Sequence, residues 1–243
     1  MHPFTPQNPS SSPFDRLARE AAGLDGMMLI RQALTGALRG RVALVASFGA
    51  ESAVLLDMVA SVDPATPVLF LDTGKLFPET LRYQEEICAG LGLLDVRRLT
   101  PDASDLRRHD PEGDLHAREP DVCCNVRKTE PLERGLEGFD AWITGRKRFH
   151  GGLRADLEPV EAEPETGRVK INPLAGWSAE DIRHYRRLRG LPLHPLVVKG
   201  YASIGCEPCT SPVGSGEAPR AGRWRGLDKQ ECGIHVPKAN VLQ

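Results

Sequence analysis

Six cysteines stand at positions 88, 123, 124, 206, 209 and 232. Cys123 and Cys124 are adjacent, Cys206 and Cys209 form a C-x-x-C, and Cys232 sits in a Glu231-Cys232-Gly233-Ile234-His235 segment. The two pairs could converge on one metal centre and leave Cys232 free as a nucleophile. A C-x-x-C alone suits zinc, a redox pair or an iron–sulfur cluster equally well. The doublet discriminates more. Neighbouring side chains on a regular helix diverge by about 100°, so two adjacent thiolates on one centre need a bent or tightened segment. Zinc sites usually space their ligands as C-x2–4-C, whereas clusters held by four thiolates tolerate varied spacings. A [4Fe–4S] cluster on Cys123, Cys124, Cys206 and Cys209 is therefore favoured over zinc. Cys88 lies on an amphipathic pattern, where a cysteine is usually a small apolar side chain, and is assigned to the core. The first residues carry no basic stretch followed by an apolar run, so a cytoplasmic protein using metal or redox chemistry is expected in place of a secreted disulfide framework.

The elements that must position these thiols follow from apolar patterning. With 243 residues the chain suits one ordinary domain with a substantial core. Residues 1–13, with Pro3, Pro6, Pro9, Pro13 and a serine run, read as a mobile leader. Phe14 to Leu38 reads as helical, with Gly23 and Gly26 as points of division. Arg41–Ser47 and Pro67–Asp72 are short apolar, β-branched runs expected to be buried on both faces. Helices are expected over Glu51–Ser61 and Pro78–Leu91, and further strands over Asp95–Leu99 and Ala141–Gly145. Ser178 is expected to cap a helix with Asp181 as its partner. This alternation predicts an α/β domain, doubly wound around a mostly parallel sheet, over residues 14–198. Residues 199–243, rich in Gly, Pro and charge and carrying three of the six cysteines, read as a C-terminal arm over the site. The formal charge of −2, from 31 basic and 33 acidic residues, makes no electrostatic case for a nucleic-acid partner. No apolar stretch approaches the ~20 residues of a membrane span.

Open α/β sheets bind ligands at the carboxyl ends of their strands. Ser47-Phe48-Gly49-Ala50-Glu51-Ser52 ends one strand and opens a helix, so its N–H groups can face an anion. It lacks the Gly-Lys-Ser/Thr of a P-loop and the G-x-G-x-x-G spacing. Leu71-Asp72-Thr73-Gly74 ends the next strand. Asp72 could orient a ribose or adenine group, and could equally cap the following helix.

Taken together with Cys123-Cys124-Asn125-Val126-Arg127-Lys128, Trp142-Ile143-Thr144-Gly145, Ile171-Asn172-Pro173-Leu174, Ile204-Gly205-Cys206-Glu207-Pro208-Cys209, Arg220-Ala221-Gly222-Arg223-Trp224 and the Cys232 segment, these turns resemble the assimilatory adenylyl-sulfate (APS) reductases, the iron–sulfur form of the PAPS/APS reductase family. The matches run in the family's order from about residue 40 to 235. The resemblance implies an adenine-nucleotide hydrolase-like fold with a modified pyrophosphatase loop. It also implies reduction of adenosine 5′-phosphosulfate to sulfite and AMP in sulfate assimilation. Possession of both cysteine pairs points to the unphosphorylated substrate, since a cysteine-poor form of the family takes the 3′-phosphorylated nucleotide.

On this resemblance Cys232 is the nucleophile and forms an S-sulfocysteine. Thioredoxin, or glutaredoxin, then attacks its sulfur and releases sulfite. The sequence places no second free cysteine beside Cys232, which argues for such an outside reductant. Substrate contacts are implied for Ser47, Phe48, Gly49, Glu51 and Ser52, for Asp72, Thr73 and Gly74, for Lys128, and for Gly145 and Arg146. Arg220, Arg223 and His235 are implied as cations that bind the sulfate and favour thiolate over thiol. Without the resemblance, His235 would read as an exposed tail residue. Lys128 is implied to couple a structural, electrostatic cluster to the sulfate. After Gly145 this chain reads Arg146-Lys147-Arg148-Phe149-His150 where the family often has a basic pair followed by Gln-Ser, which leaves open which of Arg146 and Lys147 meets nucleotide. Two other classes are a cluster-dependent, ATP-using tRNA thiolation enzyme and a zinc-binding interaction module. A homo-oligomer is compatible with all three readings.

Overall fold

Apolar residues fill both faces of the central strands, and the rest of the fold is arranged to cover them. The computed structural model describes residues 12–235. Helix α1 (Pro13–Glu20) is capped by Ser12 and Asp15; residues 1–11 of the expected leader and 236–243 of the arm lie outside the described residues. Helix α2 (Gly26–Thr35) follows the break at Gly23. Strand β1 (Val42–Ala46), helix α3 (Ser52–Val62), strand β2 (Val68–Leu71), helix α4 (Pro78–Leu91) and strand β3 (Val96–Leu99) then alternate as expected.

Four short helices come next, α5 (Ala103–His109), α6 (Leu115–Arg118), α7 (Pro120–Cys124) and α8 (Glu130–Gly135). They lead into β4 (Ala141–Ile143), β5 (Val160–Glu163), β6 (Arg168–Ile171) and α9 (Ala179–Leu188). The sheet order is β3-β2-β1-β4-β6-β5, with every pairing parallel except β5–β6. Strand order therefore runs outward from β1 to opposite sides, to β2 on one and β4 on the other, which makes the β1/β4 carboxyl ends the switch point where a ligand crevice opens.

Side-chain alternation divides the core into two faces. Val42, Leu44, Ala46, Val68 and Phe70 pack with apolar residues of α1 to α4 and α9, and Ala43, Leu69, Leu71 and Trp142 pack with Leu132 and Leu136 of α8. Ser178 accepts from the Asp181 N–H at 3.2 Å while Asp181 accepts from the Ser178 N–H at 2.8 Å, completing the expected reciprocal cap of α9. Cys88 is half-buried at the margin of the larger core, and its sulfur accepts from Gln84 at 3.1 Å.

Helix α4 is tied to the segment after α9 through His194, which is fully buried. Its Nδ1 accepts from the Leu196 N–H at 3.1 Å, so Nε2 carries the proton and donates to Thr80 Oγ1 at 3.0 Å. Burial pushes this imidazole down to about 4. The unfolded ring protonates near pH ~6.5, so between these values the unfolded chain binds more protons and stability falls as pH falls. Urea unfolding between pH 7 and 4.5 should show a steeper acid loss for the parent protein than for His194→Gln; equal slopes would contradict this role.

Candidate active site

A cavity of about 180 Å3 opens at the switch point. Its lining comes from the β1 turn (Ser47, Gly49, Glu51, Ser52), the β4 turn (Thr144 to Lys147), Lys128, and the arm (Ile204, Gly205, Arg220, Arg223, Glu231, Cys232, His235). Gly49 permits this junction: a Cβ there would meet the Ile204 carbonyl oxygen at 3.1 Å, so a side chain would push the arm off the turn. Phe48, next to it, holds φ at 48° and buries its ring edge-on against Phe70, with centroids 5.0 Å apart. A left-handed φ at a bulky residue is strained, and here the ring's burial holds the sharp turn from β1 into α3.

Six cationic side chains line the cavity against two carboxylates, so the site carries a surplus of positive charge. Lys147 donates to Glu51 at 2.8 Å and to the Gly145 carbonyl at 2.9 Å. Although burial would push the Glu51 carboxyl up, Lys147 and then His150 hold it down at about 2. Arg146 pairs with Glu161 of β5 and donates to Asn172 at 3.2 Å. Arg154 and Arg220 both meet Glu231. Buried nitrogens of four lining residues have no partner: Trp142 Nε1, Arg146 Nε, Arg223 Nε and His235 Nδ1. Unpaired buried polar groups are costly, and an anionic, hydrogen-bond-accepting ligand would satisfy them.

Cys232 is buried in the lining of this cavity. Its thiol is held well below the ordinary range, chiefly by a hydrogen bond from Cys124 and, against the cost of burial, by Lys128. Burial works against the Lys128 ammonium, yet the Cys206, Cys232 and Cys124 sulfurs hold it charged well above its usual range. Folding brings Cys124, one of the four expected ligands, against Cys232 across 108 residues of chain. His235 is corrected from a cation to a neutral ring. Burial, then Arg146, Arg154, Lys170 and Arg220, push its pKa well down, and it stacks on Trp142 at 5.8 Å with planes 6° apart.

Cys123, Cys124, Cys206 and Cys209 line a second, much smaller gap with Lys75, Arg127, Lys128 and Trp224. The doublet sits where α7 passes into a π-helical segment, Asn125–Thr129. Pro131, within the first turn of α8, has no N–H to return to Arg127, and a wider turn results. This is the bent segment the doublet demands. The C-x-x-C is brought up by an antiparallel bridge between Leu76 and Cys206, and Thr73 Oγ1 lies 3.2 Å from Cys206 Sγ. Among the described residues no group of three or more His, Cys, Asp or Glu side chains closes on a single-ion site. The four thiols nonetheless face one gap lined by cations, a setting that would suit an anionic centre held by thiolates.

Several expected contacts lie off the cavity. Phe48 is in the core, Asp72 pairs with Arg98 and accepts from the Gly74 N–H at 3.0 Å, and Thr73 turns toward the cysteines. Asp72 does not cap α4, whose N-cap position is Phe77. Gly74 lies beside the Arg127 guanidinium. Arg146 and Lys147 both line the cavity, whereas Arg148 donates to the Leu157 carbonyl at 2.7 Å. Trp142, Thr144, His150, Arg154 and Glu231 are lining residues that the sequence reading did not select. Their signal lies in contacts between distant segments.

Residues 41–212 match the phosphoadenosine phosphosulfate reductase domain. The chain belongs to that family. Its relatives include the adenosine 5′-phosphosulfate reductase of Mesorhizobium japonicum, 48% identical over 234 residues that cover 93% of this chain and 91% of that protein. Another is the phosphoadenosine 5′-phosphosulfate reductase of Gloeobacter violaceus, 39% identical over 225 residues, covering 91% and 93%. Among solved structures, the phosphoadenylyl-sulfate reductase from Candida auris in a phosphate complex superposes with a TM-score of 0.67 at 26% identity, over 84% of this chain and 98% of that one. An FMN adenylyltransferase of Candida glabrata, at 16% identity and a TM-score of 0.54 over 85% and 69%, shares the fold alone. The reductase family's fold is thus the expected adenine-nucleotide hydrolase-like sheet, while Arg220 to His235 fall beyond the matched domain.

Arg127 clamps the doublet segment to the body of the reductase domain. It donates to Asp110 at 2.5 and 3.1 Å and to the Thr73 carbonyl at 2.8 Å, and both charged side chains are buried. Removing one partner of such a pair costs ~3–5 kcal/mol, while an apolar replacement of both is far better tolerated. Arg127→Met should shift urea unfolding by about that amount, and Arg127→Met with Asp110→Leu should recover most of it. A single variant within about 1 kcal/mol of the parent would contradict the clamp.

Proposed function

We propose that the protein reduces adenosine 5′-phosphosulfate to sulfite and AMP, with Cys232 as nucleophile and an external dithiol such as thioredoxin or glutaredoxin as reductant. One observation carries the reading: a buried cysteine shares one cation-rich cavity, Lys128 among its lining, with the β1 and β4 turns of a nucleotide-type sheet. The family, and the names of its relatives, support reduction of a sulfonucleotide as the overall chemistry.

The nucleotide end of the substrate lies on the β1 turn, where Ser47, Gly49 and Ser52 offer donors at the start of α3, and on Gly145 and Arg146 at the end of β4. Its sulfate faces Lys128, Arg220 and Arg223, with His235 as a neutral hydrogen-bonding partner. The Cys232 thiolate attacks sulfur, a Sγ–S bond forms, and the S–O bond breaks with its electron pair leaving on AMP. Lys128, in the lining of the cavity, offsets the charge that accumulates between thiolate and sulfate. An outside thiolate then attacks Cys232 Sγ, sulfite departs with the bonding pair, and a second thiol of the same reductant resolves the mixed disulfide.

Cys123, Cys124, Cys206 and Cys209 would hold a [4Fe–4S] cluster. When bound, the cluster would supply a fixed anionic centre beside Lys128 with every iron already ligated by cysteine. Ligation would also withdraw Cys124 from Cys232, and the case for an outside reductant rests on that withdrawal.

The relatives carry names for both the unphosphorylated and the 3′-phosphorylated substrate. Neither Lys147, held by Glu51, nor Arg148, turned to Leu157, is a free cation for a 3′-phosphate. Sulfite release should therefore favour adenosine 5′-phosphosulfate by at least about tenfold in kcat/KM, or ~1.4 kcal/mol of transition-state binding. Lys128→Ala should lower that rate and leave iron content intact. Equal kcat/KM for both nucleotides would refute the preference, and no sulfite from either would refute the reaction.

Cysteine replacement separates the two roles. Cys123→Ser, Cys124→Ser, Cys206→Ser and Cys209→Ser should each lose iron and most activity on anaerobic purification. Cys88→Ser should keep both. Full iron in the Cys124→Ser protein would remove the doublet from the ligand set.

A further inference from the structure

Glu231 is buried beside Cys232 and spends its whole carboxylate within the site. Oε2 accepts from Arg154 Nε at 2.5 Å. Oε1 accepts from Arg154 Nη2 at 2.8 Å, from Arg220 Nη2 at 3.3 Å and from the Cys232 N–H at 2.9 Å. One side chain thus bonds the body of the protein, the arm and the backbone of the adjacent cysteine. Burial would push this carboxyl up, but Arg154 and Arg220 hold it at about 2, so it stays charged at any working pH.

The receiving loop is shaped for this contact. Gly151 and Gly152 hold φ at 66° and 57°, both left-handed, and bring the next turn round so that Arg154 points inward. A Cβ on Gly152 would come within 3.2 Å of Gln230 Oε1, the residue before Glu231. Beyond Arg154 the chain of contacts continues: Nη1 lies 3.1 Å from His150 Nδ1, and His150 Nε2 lies 3.2 Å from Glu51 on the β1 turn. Glu231 is therefore the arm's end of a continuous polar connection to the nucleotide-binding side of the cavity.

We propose that Glu231 is a positioning residue: through Arg154 and Arg220 it docks the arm and fixes the backbone of Cys232 in the wall of the cavity. The role rests on the proposed function of Cys232 as nucleophile, but docking itself does not. Arg154 and Arg220 repel one another without the carboxylate between them, so its loss frees the arm while leaving two cations to attract the substrate. The signature of positioning is consequently a fall in kcat without a rise in KM, which loss of a substrate contact would not give.

The test uses the anaerobically purified full chain with its metal content measured. Cys232 alkylation by iodoacetamide is followed by peptide mass mapping with no nucleotide present. Loss of these charge-assisted hydrogen bonds should speed alkylation of Cys232 at least about tenfold, or ~1.4 kcal/mol, in Glu231→Ala and in Arg154→Gln. The double variant should be no faster than either single one, and iron content and the circular dichroism of the folded chain should stay near parent values. Sulfite turnover in Glu231→Ala should fall by a similar factor at unchanged or lower KM. Unchanged alkylation in both single variants would overturn the docking role whatever reaction the enzyme performs. Faster alkylation with unchanged kcat would overturn the positioning role. Failure of the parent protein to release sulfite would count against the proposed function alone.

Discussion

Concentrating buried positive charge in one place is the constraint on which this structure turns. Lys128, Arg146, Lys147, Arg154, Arg220 and Arg223 line a single cavity, and each would be costly to bury alone. The fold meets the cost in part, with Glu51 against Lys147, Glu161 against Arg146, and Glu231 against Arg154 and Arg220. Lys128 and Arg223 lean on sulfur and aromatic groups instead, Arg223 lying 4.5 Å from the Trp224 ring centroid. The charge left over, together with the unpaired nitrogens of Trp142, Arg146, Arg223 and His235, is a demand for an anion built into the resting protein.

That demand is met at the place where the sheet topology opens a crevice. β1 and β4 end side by side, their turns point into the same space, and no strand lies between them to fill it. The arm closes the space from the other side, held by the Leu76–Cys206 bridge at one end and by Glu231 at the other. A thiol delivered there meets Lys128 in a low-dielectric setting, where one cation shifts a thiol far more than it would in water. Reactivity and closure are thus consequences of the same ion pairs.

The sequence was legible where a local rule dictates the outcome. β1 and β2 are apolar because both faces are covered, and their turns carry Ser, Gly and Asp where strands end. The cysteine doublet signalled a distorted helix, and Pro131 supplies it. β5 and β6 escaped because Val-Glu-Ala-Glu and Arg-Val-Lys-Ile alternate charged with apolar residues, a weak pattern beside the central runs. Arg154 and Glu231 were illegible for another reason. They meet across 77 residues of chain, and neither has a local pattern that announces a partner. The charge of His235 and the closeness of Cys124 to Cys232 likewise depend on burial among groups from five segments, which periodicity cannot register.

The central claim is that sulfur leaves the nucleotide by covalent transfer to one cysteine. Intact mass measurement of the anaerobic protein mixed with adenosine 5′-phosphosulfate, with no thiol reductant present, tests it most directly. The account predicts a gain of one sulfonate per chain, mapped to the peptide holding Cys232, released as sulfite on adding a dithiol and missing from Cys232→Ser. A sulfonate still forming on Cys232→Ser, or sulfite produced with Cys232 never modified, would contradict it.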